Sequence, residues 1–142
     1  MFPYLTIETI REELQDREPG DNSIDCDLFF SDKEIEHAMN RAATMYNAVP
    51  PIGVEVVSGR CLPADSPIFL DAVLSKLYGT AINKLARNVM TWHTGDVTVE
   101  LEKTRLGTFQ ALKKEIDATW RRDAADRKAE INRYDMGAFG YY

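Results

Sequence analysis

The segment SPIFLDAVLSKLYGTAINKLARNVM, residues 66–90 of a 142-residue chain, is its longest apolar stretch. Its large apolar side chains would cover more than one face of an α-helix, which is typical of a helix at the centre of a fold. Pro67 favours a helix start here, because proline at the first helical position gives up only an amide that has no helical partner. Gly79 lowers the stability of a helix by about 1 kcal/mol relative to alanine, so we expect another helix to cross close to it. The sequence therefore predicts a central helix over residues 66–91.

Two amphipathic helices are predicted before this central helix. Thr6 is a typical capping residue, and the apolar residues after it recur at three- and four-residue spacing, which predicts a helix over about 6–16. Ser31 and Glu34 have the spacing of a capping box, and a long apolar stripe follows until two prolines end it. This pattern predicts a second helix over 31–48.

A short strand and a final helix are predicted after the central helix. Apolar residues alternate with polar ones near 96–102, at the two-residue period of a strand, and a lone strand needs a partner such as another subunit. The final helix is predicted over 104–133. Its apolar stripe fades after Trp120, so we expect the second half of this helix to project from the domain. The alternating apolar residues are Val97, Val99 and Leu101.

The segment YDMGAFGYY, residues 134–142, holds four of the chain's fourteen aromatic rings. Two glycines disfavour a helix there, and each ring left in water forgoes about 1.5–3 kcal/mol of burial free energy. We therefore expect either the chain's own body or a partner to cover these rings, and the fading stripe before them favours a partner. The predicted fold is a single all-α domain over 1–133, a small bundle of about four helices, followed by an extended interaction tail.

Charge is unevenly distributed in this chain, whose formal net charge is −6. Residues 1–36 hold eleven acidic and three basic residues, whereas 101–142 hold nine basic and seven acidic ones. Opposite poles favour head-to-tail contact between copies, and the acidic total argues against a general binder of duplex DNA. The basic residues of the final helix fit two interpretations that the sequence leaves open, a solvated face with internal ion pairs and a complement to an acidic partner.

No catalytic, cofactor or metal site is predicted. Acidic residues in 21–32 partly match a calcium-binding loop, but Cys26 stands where the loop needs glycine and Asp32 where it needs glutamate, so a solvated loop is favoured. Neither His37 nor His93 has a second histidine at ligand spacing. An enzyme with a dispersed site would require one of these histidines to lie beside an acid in a pocket.

The termini and cysteines give little sign of export. The first residues lack the basic and apolar regions of a signal peptide, and no apolar run approaches the length of a membrane span. Cys26 and Cys61 are far apart without CxxC spacing, which is typical of reduced thiols. We therefore expect the protein to be made in the cytoplasm.

The order of these elements resembles that of the head-to-tail adaptor (connector) proteins of tailed bacteriophages. The similarity spans almost the whole chain, although its single motifs are common and only their order and the tail are distinctive. The matching features are a short capped helix, an acidic loop, Phe30-Ser31-Asp32-Lys33-Glu34-Ile35, Val49-Pro50-Pro51, a long apolar helix, and a final helix with Trp120, Lys128 and Asn132 before a glycine and aromatic tail.

The resemblance implies a non-enzymatic virion protein that acts in the neck, between capsid and tail. Members of this family form rings, commonly of twelve copies, dock under the portal protein through the C-terminal helix and tail, and present the other face to the next tail or stopper protein. DNA would pass through the channel without sequence-specific contact. The segment with Val97, Val99 and Leu101 is longer and more strand-like than the family pattern, and main-chain pairing of this predicted strand is what would join subunits. The alternative is a small helical regulatory or protein-binding module whose aromatic tail covers its own groove. The portal-binding residues implied are Arg127, Lys128, Asn132, Arg133, Tyr134, Met136, Phe139, Tyr141 and Tyr142.

Overall fold

The structure, a computed structural model, describes residues 5–18, 28–50, 66–91 and 97–138. These ranges contain four helices and no strand, so the predicted all-helical class is confirmed. None of the helices in the described ranges is long and apolar enough to cross a membrane. The helices are α1 (Ile7–Leu14), α2 (Asp32–Ala48), α3 (Ser66–Thr91) and α4 (Val97–Ala138).

Helix α3 is the centre of the bundle, as its apolar composition predicted. It packs against both α2 and α4. The contact of Tyr46 with Phe69, with ring centroids 6.2 Å apart, and the ion pair of Glu34 with Lys84 at 2.6 Å show that α2 and α3 run antiparallel. Helix α4 returns antiparallel to α3 and therefore parallel to α2. The fully buried side chains of α3 include Phe69, Val73, Leu77 and Ala81, and those of α2 include Ile35 and Ala42.

A buried ion pair ties α1 to the start of α2. Helix α1 ends at Leu14, and the capping residue Gln15 has a left-handed φ of 54°. This turn brings the carboxylate of Asp16 back beside Arg11, at 3.3 Å. The Asp16 carboxylate also accepts the backbone amides of Phe29 and Phe30, both at 2.9 Å. Arg11 in turn donates to the Phe30 carbonyl at 2.9 Å and to the Asp32 carboxylate at 2.6 Å. One charged pair thus fixes the residues that precede α2.

The capping box predicted at the start of α2 is present in the structure. The Glu34 amide donates to the Ser31 hydroxyl at 3.3 Å, and the Ser31 amide donates to the Glu34 carboxylate at 2.8 Å. Burial raises the pKa of Glu34, but its bonds to Lys84 and Ser31 outweigh burial and lower that pKa overall. The box therefore also anchors Lys84 of α3.

The strand predicted near 96–102 is not confirmed, because Val97, Val99 and Leu101 form the first turns of α4. The alternating pattern covers only a few residues, and good helix formers follow it directly. Glu100 and Glu102 lie in the first two turns, where the helix dipole favours negative charge.

The first residues of the predicted extended tail are helical instead. Residues 134–138, including Gly137, continue α4 as helix, whereas residues 139–142 lie outside the described ranges. A helix that already has 37 residues before this point does not need to be nucleated again, so it can propagate through one glycine.

Helix α4 passes beside Gly79 of α3, as expected, but there is space for a larger residue at this position. A β-carbon added there would lie 3.7 Å from the Lys113 side chain of α4, which is an ordinary van der Waals distance. The glycine is therefore not required by close packing at this position.

Gly107 offers a direct test of helical structure in the first part of α4. A β-carbon there would meet no atom within 4 Å, so Gly107→Ala should raise the free energy of unfolding by about 0.5–1 kcal/mol through helix propensity alone. Gly107→Pro should lower it by about 3 kcal/mol. Urea denaturation of both variants measures the effects, and a destabilising alanine would contradict a helix here.

Asp16→Ala should lower the free energy of unfolding by at least about 2 kcal/mol, because it leaves the backbone amides of Phe29 and Phe30 without their acceptor and removes one of the two carboxylates paired with the buried Arg11 guanidinium. The matched control is Glu12→Ala on the exposed face of the same helix, which should change stability by less than about 0.5 kcal/mol. Equal effects of the two changes in urea denaturation would contradict the role given to Asp16.

Candidate functional site: the C-terminal half of α4

The second half of α4 remains packed on the bundle beyond Trp120, contrary to the sequence prediction. Trp120, Ala124 and Lys128 are each at most 1% exposed and follow one another at four-residue spacing. The stripe continues through a small residue and a long aliphatic stem instead of through large apolar groups. The prediction was wrong because it counted only large apolar side chains as capable of burial.

Lys128 closes the C-terminal end of α2. Its ammonium donates to the carbonyls of Tyr46 and Val49, with N–O distances of 2.5 and 2.8 Å, and lies 4.9 Å from the centroid of the Tyr46 ring. The last carbonyls of a helix have no partner within it, and the negative end of the helix dipole attracts a cation. This contact makes Lys128 a structural group, although the resemblance placed it among the portal-binding residues.

Helix α4 continues past the ends of both neighbouring helices. Lys128 contacts the last residues of α2. Ser75 pairs with Asp117 and Gly79 lies beside Lys113, so the antiparallel alignment of α3 and α4 places Ser66, the first residue of α3, at about the same height along α4 as Lys128. The ten residues 129–138 therefore extend about 15 Å beyond this level.

The remaining portal-binding candidates are placed along this extension or close to it. Arg127 is half-buried and donates to Glu130 at 3.2 Å, Asn132 is half-buried and Arg133 is exposed. Tyr134 and Met136 are helical residues. The last three candidates, Phe139, Tyr141 and Tyr142, lie outside the described residues.

A polar cluster that the sequence did not reveal joins α3 to α4. The Ser75 hydroxyl donates to Asp117, which also accepts from Lys113 at 2.9 Å and from the Trp120 indole at 3.2 Å. Burial raises the pKa of Asp117, but these three donors outweigh it and hold the pKa below its usual value. The only signal in the sequence was a serine on an apolar helix.

This cluster does not have the arrangement of a serine nucleophile. Lys113 lies 3.2 Å from the Ser75 oxygen, but the serine proton points to Asp117 and the lysine ammonium donates to the serine oxygen. Ser75 is also only 2% exposed. The arrangement accounts for packing between α3 and α4 and not for catalysis.

An aromatic groove of about 320 Å³ lies at the other end of α4. The Phe109 ring is its centre, 5.7 Å from both the Phe29 and the Tyr78 ring, and the Arg105 guanidinium lies 5.0 Å from the Phe29 ring. Burial, followed by the charge of Glu13, raises the pKa of Tyr78. The groove is therefore lined by aromatic rings together with charged side chains, among them Glu13 and Arg105.

The described residues contain no metal-binding group of three or more His, Cys, Asp or Glu side chains. His37 is exposed on α2, and His93 lies outside the described residues, as do positions 21–27 of the calcium-like loop. The last position of that loop, Asp32, is bound to Arg11.

Comparison with protein-family models, with curated protein sequences and with solved structures gave no match for this chain.

Lys128→Met keeps the aliphatic stem but removes the donor to two carbonyls, so the free energy of unfolding should fall by about 1–3 kcal/mol. Lys114→Met, an exposed position on the same helix, is the matched control and should change it by less than about 0.5 kcal/mol. Thermal and urea unfolding of both variants provide the measurement. A Lys128→Met variant as stable as the control would show that the ammonium is not needed at the end of α2.

Proposed function

We propose that this chain is a ring-forming head-to-tail adaptor of a tailed-bacteriophage virion, which docks beneath the portal protein through the end of α4 and the aromatic residues that follow. The proposal rests on the order of elements along the chain and on one structural observation. That observation is the extension of α4, residues 129–138, past the ends of α2 and α3.

The extension supports docking because it separates the binding segment from the body. Lys128 holds α4 on the end of α2, and the helix continues from there past Arg133, which is exposed. A helix with an apolar end can bury its rings in a groove of a partner protein, and a cation beside them can pair with an acidic rim. The proposed docking segment is therefore 131–142, without Lys128.

In this proposal the protein is a non-enzymatic component of the virion neck. Copies form a ring, commonly of twelve in this family, whose opposite face receives the next tail or stopper protein, and DNA passes through the channel without specific contacts. Val97, Val99 and Leu101 would meet a neighbouring subunit as part of a helix, so strand pairing between subunits is not included.

The alternative is a regulatory or protein-binding module whose own aromatic tail covers its groove. The aromatic groove at Phe109 lies 29 residues before the end of α4, or about 44 Å along the helix axis. Residues 139–142 span at most about 14 Å when extended. This distance favours a partner over self-coverage of that groove.

Deleting residues 134–142 should abolish the complex with the portal protein of the same virion, which mass photometry or electron microscopy of the mixture would detect as a ring on a ring. A second variant, Phe139→Ser with Tyr141→Ser and Tyr142→Ser, keeps the chain length and should weaken binding by at least about tenfold, because three rings lose their burial.

The thermal midpoint of both variants is the control. An unchanged midpoint with lost binding supports docking through the tail. A lower midpoint with no change in association would support the regulatory alternative, and portal binding equal to that of the intact chain would exclude a role for the tail.

A further inference from the structure

Cationic side chains from three helices gather on one side of the contact between α3 and α4. Lys113 and Arg121 of α4 flank Asp117, and the Arg121 guanidinium lies 5.2 Å from the centroid of the Trp120 ring, whose indole binds the same carboxylate. Lys76 of α3 follows Ser75, whose carbonyl accepts from Lys113 at 3.5 Å. We call the group Arg41, Lys76, Lys113 and Arg121 the cationic flank.

The members of the cationic flank are close enough to affect one another. Burial lowers the pKa of Lys76, and the charges of Lys113, Arg41 and Arg121 lower it further, while Asp117 acts in the opposite direction. Three cations thus act on Lys76, and one carboxylate, Asp117, opposes them. Such a concentration of positive charge is unusual on a chain with a net charge of −6.

Acidic side chains gather on the other side of the same helix pair. Burial raises the pKa of Asp71 in α3, and the nearby charges of Asp123 in α4 and Glu13 in α1 raise it further. The charges of Glu13 and Asp71 also raise the pKa of Tyr78, after the larger effect of burial. We call the group Glu13, Asp71 and Asp123 the acidic flank.

Helical geometry places the two flanks on opposite sides. Asp71 and Lys76 are five residues apart on α3, which corresponds to a rotation of about 140° around the helix axis. Arg121 and Asp123 are two residues apart on α4, so their positions around the axis of that helix are about 160° apart. One copy of the chain therefore presents positive charge on one side and negative charge on the other.

The charges of both flanks are poorly neutralised within the chain. Among the described residues, Arg41, Lys76, Glu13 and Asp71 form no ion pair, in contrast to Glu34 and Lys84 or Arg11 and Asp16 elsewhere in the bundle. In the cationic flank Lys113 is paired with Asp117, and in the acidic flank Asp123 is paired with Arg122 at 3.4 Å. A second copy offers the charges that each flank lacks.

We propose that the cationic flank of one copy docks on the acidic flank of the next, in a heterologous head-to-tail contact. Such a contact uses two different surfaces and generates a ring when the rotation between copies closes. Its role in a virion ring rests on the proposed function, but the contact itself does not require the portal protein. A nucleic acid fits less well, because it would leave the acidic flank without a partner and would meet the negative charge of the whole chain.

The test is charge reversal at exposed positions, with assembly followed by sedimentation velocity or mass photometry in low salt. Arg41→Glu and Glu13→Lys are both on the surface and should each weaken self-association by at least about tenfold. Neither should assemble alone at concentrations where the natural chain does, whereas an equimolar mixture of the two should associate. Adding Lys76→Glu to the first variant and Asp71→Lys to the second should strengthen both effects.

The matched controls are Lys33→Glu and Glu36→Lys, which reverse exposed charges near the start of α2 and should leave assembly unchanged. Raising the salt from 50 to 500 mM should weaken assembly of the natural chain, because exposed charges are screened. Circular dichroism and a thermal midpoint confirm that each variant is folded.

Three outcomes would overturn the inference. The natural chain could remain a monomer at about 100 μM in low salt, flank and control variants could assemble equally well, or the cationic-flank variant could lose binding to a labelled DNA duplex while its assembly is unchanged. The last outcome would make the flank a site for polyanions. None of these outcomes bears on portal binding, which the tail variants test separately.

Discussion

The apolar surface of α3 is the constraint on which the rest of the structure depends. Its buried residues face both α2 and α4, so a single neighbouring helix could not cover it. Two partners that run antiparallel to α3 must lie parallel to each other, and this arrangement brings the end of α2 beside Lys128 in the second half of α4. The position of the candidate docking segment therefore follows from how α3 is buried.

Much of this arrangement is predictable from the sequence, because it depends on periodic apolar residues and on local capping chemistry. The bounds of α3, the capping box at Ser31 and the central position of the longest apolar helix all follow from patterns within one element. The start of α4 does not, since five alternating residues fit a strand and a helix equally well until their context is known. The conformation of residues 97–101 is decided by tertiary structure and by the long helix that follows them.

The charged residues of the interior could not be predicted in the same way. Arg11, Asp16 and Lys128 have the residue types of a solvated surface, and nothing in their local sequence reveals the carbonyls and amides that they bind. Their partners are between 5 and 82 residues away along the chain. For the candidate site this matters most at Lys128, because the same residue type can serve as a docking cation or as a helix cap, and only three-dimensional contacts distinguish these roles.

The contact of Lys128 with the end of α2 also has a mechanical meaning. A pull on the C-terminal end of α4 is transmitted through this ammonium to the carbonyls of Tyr46 and Val49, and from there to the ring contact between Tyr46 and Phe69 in the core. The load is thereby shared between two parallel helices instead of peeling one of them from the bundle. If the chain is held by its last helix, as proposed, part of any tension would pass through this one buried side chain.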